Sequence, residues 1–63
     1  MPNYEAYAAL RNAKGLTDHQ VARALRMSPS TFYEWKAGHY SPKLAKIMKI
    51  ASFLGVKLEE LLV

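Results

Sequence analysis

The sequence predicts an all-α fold, compact and built from five short helices, and three observations support this prediction. Apolar residues recur at helical spacing, whereas no stretch alternates apolar and polar residues as a half-buried strand would. Residues that start and stop helices divide the 63 residues into short segments. The chain has the length of one domain and contains no cysteine. It therefore depends on closely packed helices rather than disulfides, with expected help from dimerisation.

The first helix is predicted between a capping residue and a glycine. Asn3 has a side chain suited to an N-cap, and Gly15 is a natural residue just beyond a helix C-terminus. One face of this helix is expected to join the core: Tyr4, Tyr7 and Leu10.

The second helix is predicted to run from about Asp18 to Leu25. Thr17 and Gln20 have the spacing of a capping box, in which each side chain bonds the other residue's backbone N–H. Leu16 precedes the cap and is placed to pack against Val21. The expected buried stripe consists of Val21, Ala22 and Leu25.

The third helix is predicted to start at Ser28-Pro29 and to run to about Ala37. Serine at the N-cap and proline at the first helical position form a strong start signal. Phe32 and Trp35, three residues apart, are expected to point inward. The opposite side carries Ser30, Tyr33, Glu34 and Ala37.

The fourth helix is predicted to start at a second Ser-Pro pair, Ser41-Pro42, and to end at Gly55. Its expected inward residues are Leu44, Ile47, Met48, Ile50, Ala51 and Leu54. A last helical turn or two follows. The apolar residues there are expected to form the surface on which two copies associate: Leu58, Leu61, Leu62 and Val63.

The second and third helices are joined by a tight turn, and together they form a helix-turn-helix over residues 17–37. Such a unit presents short polar side chains at the start of its second helix, with bulky apolar residues behind them, and this arrangement suits the DNA major groove. The net charge of +4 and the pI near 9.6 agree with a polyanionic partner. Residues 11–57 hold all nine cations and only two acids, a net of +7. Simple solubility explains the charge equally well.

A set of motifs runs along nearly the whole chain, from about residue 4 to residue 63. They are Leu10-Arg11, Gly15-Leu16-Thr17, Val21-Ala22, Leu25, Ser28, Ser30-Thr31-Phe32, Trp35, Gly38, Pro42, Leu44, Ile47-Met48-Lys49-Ile50-Ala51, Leu54-Gly55-Val56 and Leu58-Glu59-Glu60-Leu61-Leu62. This pattern closely resembles the Cro/CI-type (XRE-like) phage-repressor helix-turn-helix family. The resemblance implies a lambda-repressor-like five-helix domain that binds double-stranded DNA at a palindromic operator as a homodimer and regulates transcription, usually as a repressor.

Carried onto this sequence, the resemblance implies two sets of contacts. Base reading falls to Ser28, Pro29, Ser30 and Glu34, with Tyr33 beside them. Glu34 is the most specific of these, since a carboxylate accepts from cytosine N4, although a solvated glutamate is an open alternative. Tyr33 either touches a sugar or thymine methyl or is partly buried. Phosphate contacts fall near the starts of the second and fourth helices, at Thr17, His19, Ser41 and Lys43. From its own residues, the sequence adds Arg26, Lys36 and His39 as expected phosphate contacts.

The sequence departs from the family pattern at three positions. Asp18 stands where the family favours glutamine, and we expect it to stabilise the helix dipole rather than to approach phosphate. Arg26 stands where the family prefers glycine in a left-handed turn. Lys36 stands where the family has a glutamate that pairs with the arginine of the first helix, here Arg11. We therefore expect Lys36 to turn outward and Arg11 to find another acceptor, and we expect Lys36→Glu to raise stability.

Other functions find little support in the sequence. There is no cysteine nucleophile or glycine-rich phosphate loop, and His19 and His39 lack further metal ligands, so we expect neither an enzyme nor a metal, cofactor or small-molecule site. No long apolar run or secretory leader appears, which favours the cytoplasm of a bacterium or phage host. The main alternative is an antitoxin-like or controller-type module that acts through protein contacts and binds DNA weakly.

Overall fold

The computed structural model describes residues 1–62 and confirms an all-helical fold. Its α-helices are α1 (Tyr4–Ala13), α2 (Asp18–Leu25), α3 (Pro29–Lys36) and α4 (Leu44–Leu54). The predicted fifth helix is a single 3-10 turn, Leu58–Leu61. No helix within residues 1–62 is both long and apolar enough to cross a membrane.

The predicted starts of the first three helices are confirmed by their side-chain caps. Asn3 Oδ1 accepts hydrogen bonds from the first-turn N–H groups of α1 at 3.0 and 3.3 Å. Thr17 and Gln20 form the predicted capping box, with bonds of 3.2 and 2.8 Å. Ser28 Oγ accepts from the N–H of Ser30 at the start of α3. These helices therefore begin where short polar side chains replace the missing backbone acceptors.

The predicted start of α4 is wrong by two residues. The helix begins at Leu44 with Lys43 as its N-cap, and no side chain caps it. Pro42 precedes the cap and is buried, so it fills space beside the core instead of opening the helix. Two of the expected inward residues, Leu44 and Met48, are exposed. Adjacent helical residues diverge by about 100°, and the core already takes the stripe of Ile47, Ile50, Ala51 and Leu54.

Aromatic rings from α1 and α3 form one part of the core. Tyr7 is fully buried, and its ring centroid lies 5.3 Å from that of Phe32 and 5.1 Å from that of Trp35. Tyr4 meets Trp35 edge to face at 5.3 Å. The inward direction predicted for Phe32 and Trp35 is confirmed. The α3 helix is thus fixed to α1 by ring packing, which adds to the area that the rings bury.

The two ends of the chain meet. The N–H of Asn3 donates to the carbonyl of Leu61 at 2.9 Å, and Pro2 forms an antiparallel bridge with Leu62. Leu61 is fully buried, while Leu58 and Leu62 pack partly buried against the core. The prediction of a self-association surface here is wrong for Leu61, which covers the chain's own core, and stays a prediction for the partly buried Leu58 and Leu62. Val63, also predicted there, lies outside the described residues.

Candidate nucleic-acid interface

The α2 and α3 helices form the predicted helix-turn-helix. Only Arg26, Met27 and Ser28 separate them. The turn closes through a 2.8 Å bond from the N–H of Met27 to the carbonyl of Ala22, and Met27 packs against the core. Because both helix ends are tied to the core, the first turn of α3 has a fixed position.

The outward side of α3 is polar at its start and aromatic at its centre. Ser28, Pro29 and Ser30 are exposed, and the two serine hydroxyl oxygens lie 2.7 Å apart. Tyr33 is 68% exposed, which excludes the packing role considered for it. With Phe32 and Trp35 buried on the other side, α3 presents the set predicted to read bases. The serines hydrogen-bond each other, and the Tyr33 ring is exposed beside them.

Glu34 has a local partner that the sequence reasoning missed. His39 Nδ1 lies 3.1 Å from Glu34 Oε1, and the N–H of His39 donates to the carbonyl of Glu34 at 2.9 Å. Gly38, with φ of 84°, turns the chain back at the end of α3 and makes both contacts possible. This closing turn was predictable from Gly38, because such a turn joins residues five apart. Glu34 is therefore a partly exposed glutamate with one local contact, and its role in base reading stays a prediction.

All the residues predicted to contact phosphate are exposed: Thr17, His19, Arg26, Lys36, His39, Ser41 and Lys43. The structure brings Lys36, His39 and Ser41 together around one open groove of about 870 Å³ beside the N-terminal segment. Thr17 uses its hydroxyl oxygen as the acceptor in the capping box, so its hydroxyl proton remains available to donate. Lys43 stands at the uncapped start of α4, where backbone N–H groups and the helix dipole favour an anion.

Arg26 has the predicted left-handed conformation, with φ of 56° and ψ of 43°. It is the only residue other than glycine with positive φ among residues 1–62. The equivalent positions at the ends of the other three α-helices are Gly15, Gly38 and Gly55. A side chain in this conformation costs on the order of 1 kcal/mol, so Arg26 is a strained position that carries a cation.

Asp18 does not serve only as a charge at the start of α2; it turns toward α1. Its Oδ1 accepts from the Tyr7 hydroxyl at 2.7 Å and from Arg11 Nη1 at 2.5 Å. Its Oδ2 accepts from the Tyr4 hydroxyl at 2.7 Å. Arg11 has thus found another acceptor, as predicted, and Lys36 points outward. We call these four residues (Tyr4, Tyr7, Arg11 and Asp18) the carboxylate cluster.

The pKa shifts in the carboxylate cluster follow from burial and hydrogen bonding. Burial opposes ionisation of Asp18, but bonds from Tyr4, Tyr7 and Arg11 outweigh it and lower the pKa of the carboxyl group. Burial, followed by the bond to Asp18, raises the pKa of Tyr7 and that of Tyr4. Burial also opposes the charge on Arg11, yet its bonds raise its pKa. The cluster therefore holds one carboxylate, one guanidinium and two neutral phenols at physiological pH.

The remaining cations give the surface its positive charge. Among residues 1–62, eight Lys and Arg side chains other than Arg11 are exposed, and none of them forms an ion pair with an acid. The two acids inside the basic stretch are engaged, Asp18 by Arg11 and Glu34 by His39. No group of three or more potential metal ligands occurs within the described part of the chain.

Sequence comparisons agree with this geometry. The chain is 39% identical over 57 residues to an uncharacterized HTH-type transcriptional regulator of Methanocaldococcus jannaschii, a match covering 90% of this chain and 82% of that protein. It is 35% identical over 52 residues to the cryptic phage CTXphi transcriptional repressor RstR of Vibrio cholerae, covering 82% of this chain and 47% of the repressor. No solved structure matches. A family model described as helix-turn-helix matches residues 8–61, and the chain therefore belongs to the helix-turn-helix family.

Proposed function

We propose that this protein is a sequence-specific DNA-binding regulator of transcription that places α3 in the major groove of double-stranded DNA. One observation carries the proposal: α3 exposes a polar face while Phe32 and Trp35, buried behind it, fix it to the core. A helix held in this way can enter a groove about 12 Å wide without loss of its own packing. The similarity to a transcriptional regulator and to a phage repressor supports regulation as the outcome.

Base reading in this proposal rests mainly on Glu34 and Tyr33. Ser28 and Ser30 donate or accept with almost any base, so they discriminate little. The Glu34 carboxylate accepts from cytosine N4, and its contact with His39 limits the positions that it samples. Tyr33, whose side chain is largely exposed, is placed to touch a thymine methyl or a sugar. Specificity therefore comes from few contacts, and we expect it to be modest for one copy.

Phosphate contacts supply most of the affinity. The exposed cations Arg26, Lys36 and Lys43 release counterions when they approach the DNA backbone, and His19 and His39 lie among the same set. Thr17 and Ser41 add neutral donors near the starts of α2 and α4. These contacts orient α3 but carry no sequence information.

We further propose that the protein binds a palindromic operator as a homodimer in the cytoplasm. Two recognition helices about 34 Å apart multiply the weak discrimination of one module. Because Leu61 is fully buried and Leu58 and Leu62 are only partly exposed, the contact between copies draws mainly on other apolar side chains. Leu44, Met48 and Phe53 of α4 are the exposed candidates. Sedimentation of the wild type beside Met48→Asp tests this part, since the charged variant should remain monomeric.

Selection of bound DNA from random duplexes tests the proposal directly. We expect a recovered consensus with two-fold symmetry, and we expect Glu34→Gln to relax the preference at a cytosine position. Lys43→Ala should weaken binding to all sequences alike and lower the slope of log affinity against log salt by about 0.9. Lys57→Ala is the matched control, because Lys57 is an exposed lysine outside the predicted set.

Two results would contradict the proposal. If no duplex is bound at low ionic strength, the protein does not act through DNA. If binding barely responds to salt and Lys57→Ala behaves like Lys43→Ala, phosphate contacts do not follow the predicted set. The first result would favour the antitoxin-like alternative, in which protein contacts dominate.

A further inference from the structure

We propose that the carboxylate cluster is a positioning device for DNA binding. It holds the first turn of α2 in register with α3, and it withdraws the one acid at that turn from the DNA phosphate. The inference rests on the proposed function. In this role Tyr4, Tyr7, Arg11 and Asp18 are positioning residues that act through the α2 N-terminus and do not touch DNA themselves.

The geometry ties the start of α2 to α1 from both oxygens of one carboxylate. Asp18 is the first residue of α2, and its oxygens accept three hydrogen bonds: from Tyr4, from Tyr7 and from Arg11. Arg11 Nη1 also lies 3.1 Å from the Tyr4 hydroxyl oxygen, so the donors are linked to one another. Charge-assisted bonds of this kind are roughly twice as strong as neutral ones, so this turn is held more firmly than its capping box alone would hold it.

The cluster also reaches α3. The Tyr7 ring is stacked against Phe32 and Trp35, and these two rings fix the back of α3. The hydroxyl of the same tyrosine lies 2.7 Å from Asp18 at the start of α2. One side chain therefore connects the predicted phosphate-binding turn to the predicted base-reading helix. The relative position of the two DNA-contacting elements depends on this connection.

The charge balance at the α2 N-terminus favours the same interpretation. A free carboxylate there would repel a phosphate that approaches the helix dipole. In the structure the Asp18 charge is paired with Arg11 and saturated by donors, on the side of α2 that faces α1. The exposed residues on either side of it, Thr17 and His19, remain free to meet the phosphate. An acid at this position is thereby compatible with DNA binding.

Tyr7→Phe provides the test, because it keeps the ring packing and removes only the hydroxyl. We expect the folded variant to lose about tenfold in affinity for the selected duplex. We expect the slope of log affinity against log salt to stay close to that of the wild type, because the contacts weakened at the start of α2 are neutral donors and no Lys or Arg is lost. Tyr4→Phe should show the same pattern more weakly, since Arg11 and Tyr7 still hold Asp18. Affinities are measured well below the melting temperature of each variant, so that unfolded protein does not contribute.

Tyr40→Phe is the matched control, because Tyr40 is a partly buried tyrosine outside the cluster. If Tyr7→Phe and Tyr4→Phe melt earlier but bind the selected duplex with wild-type affinity, the cluster only stabilises the fold and the proposal is wrong. If Tyr7→Phe does not fold, Tyr4→Phe decides between the two outcomes. Failure of the wild type to bind any duplex would instead refute the proposed function, so the two failures are distinguishable.

Discussion

Two acid–base pairs, one at the start of α2 and one at the end of α3, differ in surroundings and, we infer, in purpose. The side chains of Arg11 and Asp18 are 14% and 25% exposed, and two tyrosine hydroxyls join them. The side chains of His39 and Glu34 are 72% and 46% exposed, and they contact only each other. The first pair connects two helices, whereas the second closes the end of one.

The comparison shows that the contribution of an acid–base pair to stability depends on whether water can solvate the two groups once they separate. Water can solvate Glu34 and His39 as soon as they separate, so an exposed pair of this kind contributes about 0.5 kcal/mol or less. Separation of Arg11 and Asp18 would leave two largely covered charges with few alternatives. The first pair therefore fixes the start of α2 against α1. The second pair, Glu34 and His39, can separate to contact DNA at little cost in stability.

Removal of the Asp18 charge has the largest expected effect on stability, and it tests the contrast between the two pairs most directly. We expect Asp18→Asn to lower the free energy of unfolding by about 3 kcal/mol, because Arg11 loses its counter-ion in a partly buried site. Glu34→Gln, the matched change in the exposed pair, should lower it by less than about 0.5 kcal/mol. Urea titration of both variants measures the two values. Equal losses would show that burial does not separate the pairs.

Acid should weaken the Arg11–Asp18 pair only as the pH falls below the ordinary range of a carboxyl group. The pKa of Asp18 in the folded chain lies below its ordinary value of 3.8, since its bonds to Tyr4, Tyr7 and Arg11 outweigh burial. Its contribution to stability is thus fully present above that value and is lost as the pH falls through the lower, folded pKa. The stability difference between wild type and Asp18→Asn should therefore be constant from about pH 7 to pH 5 and shrink below about pH 4. A difference that stays constant into strong acid would contradict the assigned pKa direction.

The sequence predicted the helices well where local chemistry decides them. Asn3, the Thr17–Gln20 box and Ser28 each cap a helix through bonds between near neighbours, and all three are confirmed. Ser41-Pro42 has the same composition as Ser28-Pro29 but does not start a helix. The difference is tertiary: Pro42 is buried, and no local pattern reports that burial.

The candidate site was predictable as a set of exposed residues but not as a set of contacts. Helical periodicity identified the outward side of α3, because an inward Phe32 and Trp35 leave it exposed. It did not show that Tyr4 and Tyr7, read only as core rings, donate their hydroxyls to Asp18. That contact joins residues more than ten positions apart, and it depends on how α1 packs against α2. The Glu34–His39 contact, by contrast, follows from the glycine turn between them.

Arg26 extends the comparison to a single residue. Its strained backbone conformation lowers stability, while its positive charge is proposed to contact DNA phosphate. We expect Arg26→Gly to stabilise the fold by about 1 kcal/mol, since glycine adopts the left-handed conformation without strain. Arg26→Ala keeps the strain and removes only the charge, so its stability should match that of the wild type. Both variants should bind DNA more weakly and with a smaller salt slope. Thermal melts measure the effect on stability, and DNA titrations measure the effect on affinity. If Arg26→Gly is less stable than the wild type, the backbone at Arg26 is not strained.

Lys36→Glu is expected to change stability little, and it tests whether Asp18 alone is a sufficient partner for Arg11. The family resemblance led us to expect a gain, through a restored partner for Arg11, but Asp18 already fills that role. A new carboxylate at the exposed position 36 should therefore change the free energy of unfolding by less than about 0.5 kcal/mol. Because Lys36 lies beside His39 and Ser41, the same change should weaken DNA binding. Melting temperature and affinity measured on one sample decide the matter: a clear rise in melting temperature would show that Asp18 leaves Arg11 incompletely paired.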